Sequence, residues 1–398
     1  PQSQNLNDKR FSAKTALVVF RPEVAAYPNG VVSRSVIYEQ GARAGGLNFF
    51  IDVNRVVGDQ ISLGGAAHNA LGGYFNPFKF NNLGSNGVTL AAINFAQPSY
   101  YGAAASYNAP AAFQGAYGSV LVNPANQTGL TVGSFLPRHN GFVGIGAIHG
   151  AVRYGASNFL PDVKPETGPI STTVSNMADL DPFRGDLAEI LQWNRSLNRS
   201  EMILVKNYLG AKYGFKVAPD ATAPALDLDY YSVADQDGYS FDVAGVHRAA
   251  SADFKNWGRG DQFVEIQAAT TSGSLDVGEA LLWGHENATV NAANTSDVPT
   301  GIDNRMNLVW AAQQTDASGE EGVGTVTLTL RLSATTNVNA GNYADLRLMA
   351  RDYVCGNFAS ACANNVTLVS PAAFDGTNRT VTFSFNPASF APFATENG

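Results

Sequence analysis

The sequence predicts an all-β protein: two β-sandwich domains in tandem, the first closed by a single C-terminal α-helix. Three observations lead there. Short β-branched and aromatic runs alternate with Gly, Asn and Pro turns along the chain, the pattern of antiparallel sheets packed as sandwiches. A length of 398 residues exceeds one typical domain and leaves room for two cores. A Pro- and Ala-rich stretch, VAPDATAPALDLDYY, follows Lys216 and reads as a linker. The boundaries that result are a first domain over residues 1–217, a linker over 218–225 and a second domain over 226–398.

In the first domain the strand candidates are TALVVF (15–20), GLNFFIDV (46–53), GVTLAAINF (87–95), YGSVLV (117–122), GFVGIGAI (141–148) and DLAEILQW (186–193). In the second they are SFDVAGVHRA, QFVEIQAAT, EALLWGHEN, NLVWAAQQ, GTVTLTLRLS, DLRLMARD, NVTLVS and TVTFSF. Val326, Leu328, Leu330 and Leu332 fall at every second position, as a strand with one buried and one wet face requires. The one convincing helix lies in NRSEMILVKNYLGAKYG. Asn198 is placed as its N-cap, and Glu201 can reach back to complete a capping box. Leu197 and Met202 are spaced as a hydrophobic staple around that cap. Met202, Val205, Tyr208 and Leu209 recur at helical spacing and give one apolar face. Gly214 is placed to stop the helix. Coming straight after the strand DLAEILQW, this helix is expected to close the first domain.

Composition sets the outer limits. Hydrophobic residues make up 45% and charged residues 15%, which is the balance of a folded chain and not of a disordered one. A net charge of −8 argues against nucleic acid or an anionic membrane as partner. No stretch approaches the roughly 20 apolar residues of a membrane span. Pro1 follows no initiator Met and no basic-plus-apolar leader, so the N-terminus reads as processed or as cut for expression. Cys355 and Cys362, in CGNFASAC, flank a short loop and can close a small disulfide, which would place the protein outside the cytoplasm. Free buried thiols are the other reading. Two Cys with no His nearby make a poor zinc site.

The stretch GDLAEILQWNRSLNRSEMILVKNYLGAKYG resembles the final strand and closing helix of LamG-like, concanavalin A-like jelly-roll domains of bacterial surface proteins. TALVVFRPE resembles an early strand of that fold, VIYEQGARAGGLNFFIDVNRV the Gly-Gly passage and strand that follow, and GIGAIHGAVRYGASNF the late strand. The likeness spans about residues 11–216 and leaves the family pattern over 60–130, a region rich in Gly, Ala, Asn and aromatics. It implies a jelly roll and an extracellular or cell-surface location. YSFDVAGVHRA, LLWGHEN and NRMNLVWAAQ resemble an uncharacterised β-sandwich that follows LamG-like domains in such proteins. Arg184-Gly185-Asp186 then reads as the start of a family-like strand, because Asp186 opens GDLAE, and not as an adhesive tripeptide.

Catalytic patterns fail. The chain has no G-x-S-x-G and no H-E-x-x-H, and His68, His139, His149, His247 and His285 are scattered without metal spacing. Jelly-roll glycosidases of this superfamily carry alternating carboxylates, because acid and nucleophile must face one sugar; that pattern is missing. The Gly-rich NGFVGIGAIHG lacks the third Gly and the following helix of a dinucleotide site. Calcium fits better. ADLDPFRGD gathers Asp179, Asp181 and Asp186 around a Pro-containing turn, and hard oxygen ligands on a loop are what calcium selects. Asp235 and Asp237 form a second, weaker cluster, and Asp simply favouring turns is the other reading of both. Tyr100, Tyr101 and Tyr107, set among Gly, Ala, Asn and Pro, predict an exposed loop that contacts a partner, a neighbouring subunit or a sugar. The competing reading folds those loops back over the domain's own edge. The expected function is that of a non-enzymatic, extracellular or cell-surface structural or adhesion protein, a surface-layer, filament or adhesin component working through a protein partner or self-assembly. A glycan-binding, lectin-like module that takes polysaccharide is the alternative, and a carbohydrate-active enzyme ranks third.

Overall fold

The computed structural model describes residues 13–42, 45–56, 60–68, 78–83, 88–96, 119–121, 143–146, 180–195, 197–215, 217, 229–232, 238–261, 263–271, 273–288, 293–315, 322–332, 338–351, 358 and 366–389. The chain divides into two compact units. The first takes Pro1–Leu197 and Ala218–Leu226, the second Asn198–Val217 and Asp227–Gly398.

The described strands of the first unit are β1 (Ala13–Pro22), β2 (Val32–Ala42), β3 (Gly45–Asn54), β4 (Gln60–His68), β5 (Phe78–Leu83), β6 (Thr89–Ala96), β7 (Ser119–Leu121), β8 (Val143–Ile145), β9 (Leu180–Pro182) and β10 (Gly185–Trp193). One sheet runs β10-β1-β6-β7; the other runs β5-β4-β3-β2-β8, with β9 also beside β2. Every residue from Thr15 to Phe20 is buried. Both faces of β1 are therefore covered, which is why its sequence is a continuous apolar run and does not alternate. Phe49, Phe50, Ile51 and Val53 of β3 are buried as well. A side-chain bridge links the two sheets: Gln192 on β10 donates to the Tyr38 hydroxyl on β2, which lies 3.2 Å from Gln40 Oε1 as donor. Burial pushes the Tyr38 phenol well above its ordinary range, so it stays a neutral donor.

The second unit holds the Arg199–Tyr213 helix and strands β11 (Phe241–Ala250), β12 (Asp253–Lys255), β13 (Trp257–Arg259), β14 (Val264–Ala268), β15 (Ala280–His285), β16 (Ala293–Asn294), β17 (Arg305–Met306), β18 (Trp310–Thr315), β19 (Val326–Arg331), β20 (Leu348–Ala350), β21 (Thr367–Val369), β22 (Ala373–Asp375) and β23 (Thr380–Phe385). Two sheets dominate, a four-stranded β12-β11-β15-β18 and a five-stranded β13-β14-β19-β23-β22. They share one core. Val246, Leu281 and Trp283 come to it from the first sheet, and Val264, Ile266, Ala268 and Val326 from the second. β13 approaches β11 closely because Gly258 has no side chain: a Cβ there would meet the Gly245 carbonyl oxygen at 2.5 Å and the Trp283 indole at 3.0 Å. The described chain is thus mostly β, as expected, with one α-helix.

The helix forms where the sequence places it. Asn198 and Glu201 complete the capping box, and Gly214 ends the helix in the left-handed region at φ 69°. Met202 and Leu209 are buried, while Val205 is only partly so. One side of this helix packs on the second unit. Its Ala211, Leu204 and Tyr208 pack with Val243, Ala280, Leu282, Tyr230 and Tyr231 of the second unit. The reason lies in β11 and β15, which are apolar on both faces. One face fills the shared core, and the other needs a cover that the helix stripe supplies. By contacts the helix is counted with the second unit, whose first residue is Asn198. The expected linker over 218–225 lies outside the described residues.

Candidate functional site

Several expected site residues lie outside the described residues: Tyr100, Tyr101 and Tyr107, Asp179, Asp235 and Asp237, and both Cys355 and Cys362. Asp181 is described in its backbone alone, which pairs in parallel with Ser35. Asp186 is described fully. Arg21 Nε donates to its Oδ2 at 3.0 Å and Arg21 Nη2 at 2.5 Å, so a guanidinium already occupies one oxygen of the expected calcium ligand. The same contact settles the geometry of Arg184-Gly185-Asp186. Asp186 and Gly185 pair with Arg21 and Pro22 of β1, and the Arg184 guanidinium donates to the Ala26 carbonyl at 2.6 Å and lies 5.6 Å from the Tyr27 ring. This tripeptide starts a strand, and both its charged ends are held by its own domain. Among the described residues, no three His, Cys, Asp or Glu side chains gather as a metal group.

Phe358, between the two cysteines in sequence, is anchored firmly. Its N–H donates to Asp297 Oδ1 at 2.5 Å. Its ring lies 5.2 Å from the Arg305 guanidinium and 4.8 Å from that of Arg351. Arg305 bridges Asp297 at 2.7 Å with the two side chains only 10% and 21% exposed. The centre of the CGNFASAC segment is therefore fixed by a part-buried ion pair and two cation–π contacts.

Carboxylates in the second unit serve mainly the backbone. Asp253 accepts the N–H groups of Arg199 and Ser200, both at 3.0 Å, at the start of the helix. Asp261 takes those of Phe263 and Val264 at 2.6 Å each. Asp276 accepts from Gly273, Glu279 from Asp276, and Glu286 from Val309. Asp375 accepts from Thr377 and Asn378, which holds its carboxyl below the usual carboxylate range. Each is a loop or cap held by a charge-assisted hydrogen bond.

Two histidines of this unit have defined surroundings. His247 is buried on β11, and loss of hydration pushes it down to about 4; Asp253 opposes that shift and Arg199 adds to it. His285 places Nε2 3.0 Å from Asp242 Oδ2 and Nδ1 2.7 Å from the Glu286 carbonyl oxygen. Asp242 sits at φ 48°, an uncommon conformation for a side-chain-bearing residue. Both ring nitrogens are thus engaged, and the pair pins the end of β15 to the start of β11.

Among the elements that sequence reading missed are the three-residue strands β12 and β13. β12 is an edge of the four-stranded sheet and β13 an edge of the five-stranded one, so the chain changes sheets at Asn256. Exposed Phe254 and Trp257 flank that point. Lys255 Nζ lies 3.5 Å from the Trp257 ring centroid, and Arg259 bridges Glu265 on the next strand at 2.6 Å. Aromatics beside Gly in FKNWGRG were the available signal.

The family described as a domain of unknown function (DUF8202) matches residues 201–385. No curated protein and no solved structure matches the chain. The family match starts inside the helix and stops at the last residue of β23. It thus groups the helix with the second unit's sheets, as their packing does; over that span the chain is similar to DUF8202.

Proposed function

We propose that this chain is a non-enzymatic structural or adhesion protein of the cell surface or extracellular space, with two β-sandwich domains in tandem, the first a jelly roll. It works through contact with protein partners or further copies of itself. The observation that carries this reading is the use of carboxylates described above. Asp253, Asp261, Asp276, Glu279, Glu286 and Asp375 each fasten a backbone segment. Side chains spent in this way favour a stable scaffold, whereas acid–base chemistry asks for carboxylates converging on one ligand. A Cys355–Cys362 disulfide would close the segment anchored at Phe358, and Tyr100, Tyr101 and Tyr107 would form the contact loop. Calcium would sit at Asp179 and Asp181, with Asp186 sharing its carboxylate between the ion and Arg21.

Sedimentation across a range of concentrations, with electron microscopy of the same samples, tests the proposal. Assembly should grow with concentration and fall away when all three tyrosines become Ser, at unchanged melting temperature. A monomer at every concentration, with no protein partner retained, sinks it. Millimolar calcium should raise the melting temperature and chelator lower it; a flat response removes the ion from the proposal. Glycan binding is the second reading, and exposed Trp257 favours it.

A further inference from the structure

We propose that Asn29 is a self-modification site, where the backbone nitrogen of Gly30 displaces the side-chain amide and water then leaves aspartate or isoaspartate. The Gly30 nitrogen, its proton taken by hydroxide, attacks Asn29 Cγ. A new C–N bond closes a five-membered succinimide ring, and the Cγ–Nδ2 bond breaks, with Nδ2 leaving as ammonia after taking a proton from water. Water then opens the ring at either carbonyl. Breaking the bond from Cγ to the Gly30 nitrogen gives aspartate. Breaking the bond from the Asn29 backbone carbonyl carbon to that nitrogen leaves the chain running through Cγ, as isoaspartate. In sum water is consumed and ammonia released, with no oxidant, enzyme or cofactor.

The fold leaves this pair open to the reaction. Pro28, Asn29, Gly30 and Val31 are all exposed where the chain turns into β2. The Asn29 side chain makes no hydrogen bond with any described residue, so its amide can rotate onto the backbone. Gly30, at φ 75°, has no Cβ to screen its nitrogen, and open space surrounds the place a Cβ would take. One restraint opposes attack. Gly30 N–H donates to the Arg55 carbonyl at 3.2 Å, the long end of the usual range, and this bond must open first. Other described asparagines are better held. Asn54 Oδ1 accepts from Val56 N–H, Asn294 Oδ1 from Ser296 and Asp297, and Asn339 Oδ1 from Gly341. Each of the three also precedes a residue with a side chain, Arg55, Thr295 or Ala340. Asp375 precedes Gly376, but its carboxylate is fixed by Thr377 N–H, Asn378 N–H and the Asn378 amide. Isoaspartate would add a backbone carbon just before Gly30. Gly30 N–H and the Val31 carbonyl both bond Arg55 beyond the Val32–Asn54 rung, so the change loosens that end of the β2–β3 ladder.

Ageing the full chain in mildly alkaline buffer, with peptide mapping by mass spectrometry, tests it. Mapping reads residue 29 apart from the other Asn-Gly pairs of the chain, at 86–87, 140–141 and 397–398. Asn29 should lose its amide, in both aspartate and isoaspartate forms, at a rate that rises in proportion to hydroxide. Asn54, Asn294 and Asn339 should keep theirs over the same time. Ageing in urea should speed the loss at Asn29, because the bond to Arg55 is then gone. Asn29→Gln should abolish conversion at this position with the melting temperature unchanged, since the longer side chain closes a ring far more slowly. Hydrogen exchange at Gly30 and Arg55 should be faster in the isoaspartate fraction than in fresh protein. An amide that survives at residue 29 in the folded chain overturns the proposal. So does aspartate without isoaspartate, which would mean direct hydrolysis with no ring, or equal conversion at Asn54, which would mean that neither Gly30 nor the open turn selects the site.

Discussion

His247 is only 1% exposed, its ring 5.2 Å from that of Tyr230, and its Nδ1 has no hydrogen-bond partner among the described residues. Burial favours the neutral ring, so the folded-state value of about 4 lies below the ordinary histidine value of 6.5. The unfolded chain therefore takes up a proton that the folded chain refuses as pH falls from about 6.5 to about 4. Stability is fully present above that window and declines through it, by up to about 3 kcal/mol if this residue acts alone. Urea unfolding at pH 7, 5.5 and 4 should show the decline, and His247→Phe should flatten it. An unchanged slope in the variant would assign the acid sensitivity to other groups. Single residues were legible from sequence where their signal was local. Asn198, Glu201 and Gly214 all perform as caps because a cap is decided within four residues. Trp257 was not, because a strand of three residues carries no period to detect.

The helix shows what an element can and cannot announce. Its existence and both ends follow from sequence, but its partner depends on which distant surface is apolar and uncovered, here β11 and β15. Strands read as continuous apolar or alternating runs, such as β1, β3, β15, β19 and β23, were found where expected, whereas β12 escaped notice although it governs the helix start. Its Asp253 accepts two of the helix's first N–H groups and faces the positive end of the helix dipole. Asp253→Ala should cost about 1–2 kcal/mol in a denaturant titration, and Asp253→Asn less than that. A loss below a few tenths would show that water replaces the carboxylate without penalty.

The contact division and the family match agree that the helix belongs with the sheets that follow it. A chain beginning at Asn198 should therefore melt in one cooperative transition. A chain beginning at Ala218, lacking the helix, should expose Leu282, Val243 and Tyr231, bind hydrophobic dyes and aggregate. Equal melting of the two would return the helix to the first domain. The strand order carries a further consequence, one of time. β14 pairs only with β13 and β19, β19 next needs β23, and β23 is built from residues 380–385. During synthesis the helix emerges first and waits some seventy residues for β15. The five-stranded sheet waits for nearly the whole unit. No half of this unit can hide its core early, so apolar strands stay uncovered until β23 has emerged, and the sheet closes at the slow rates typical of non-local β pairing.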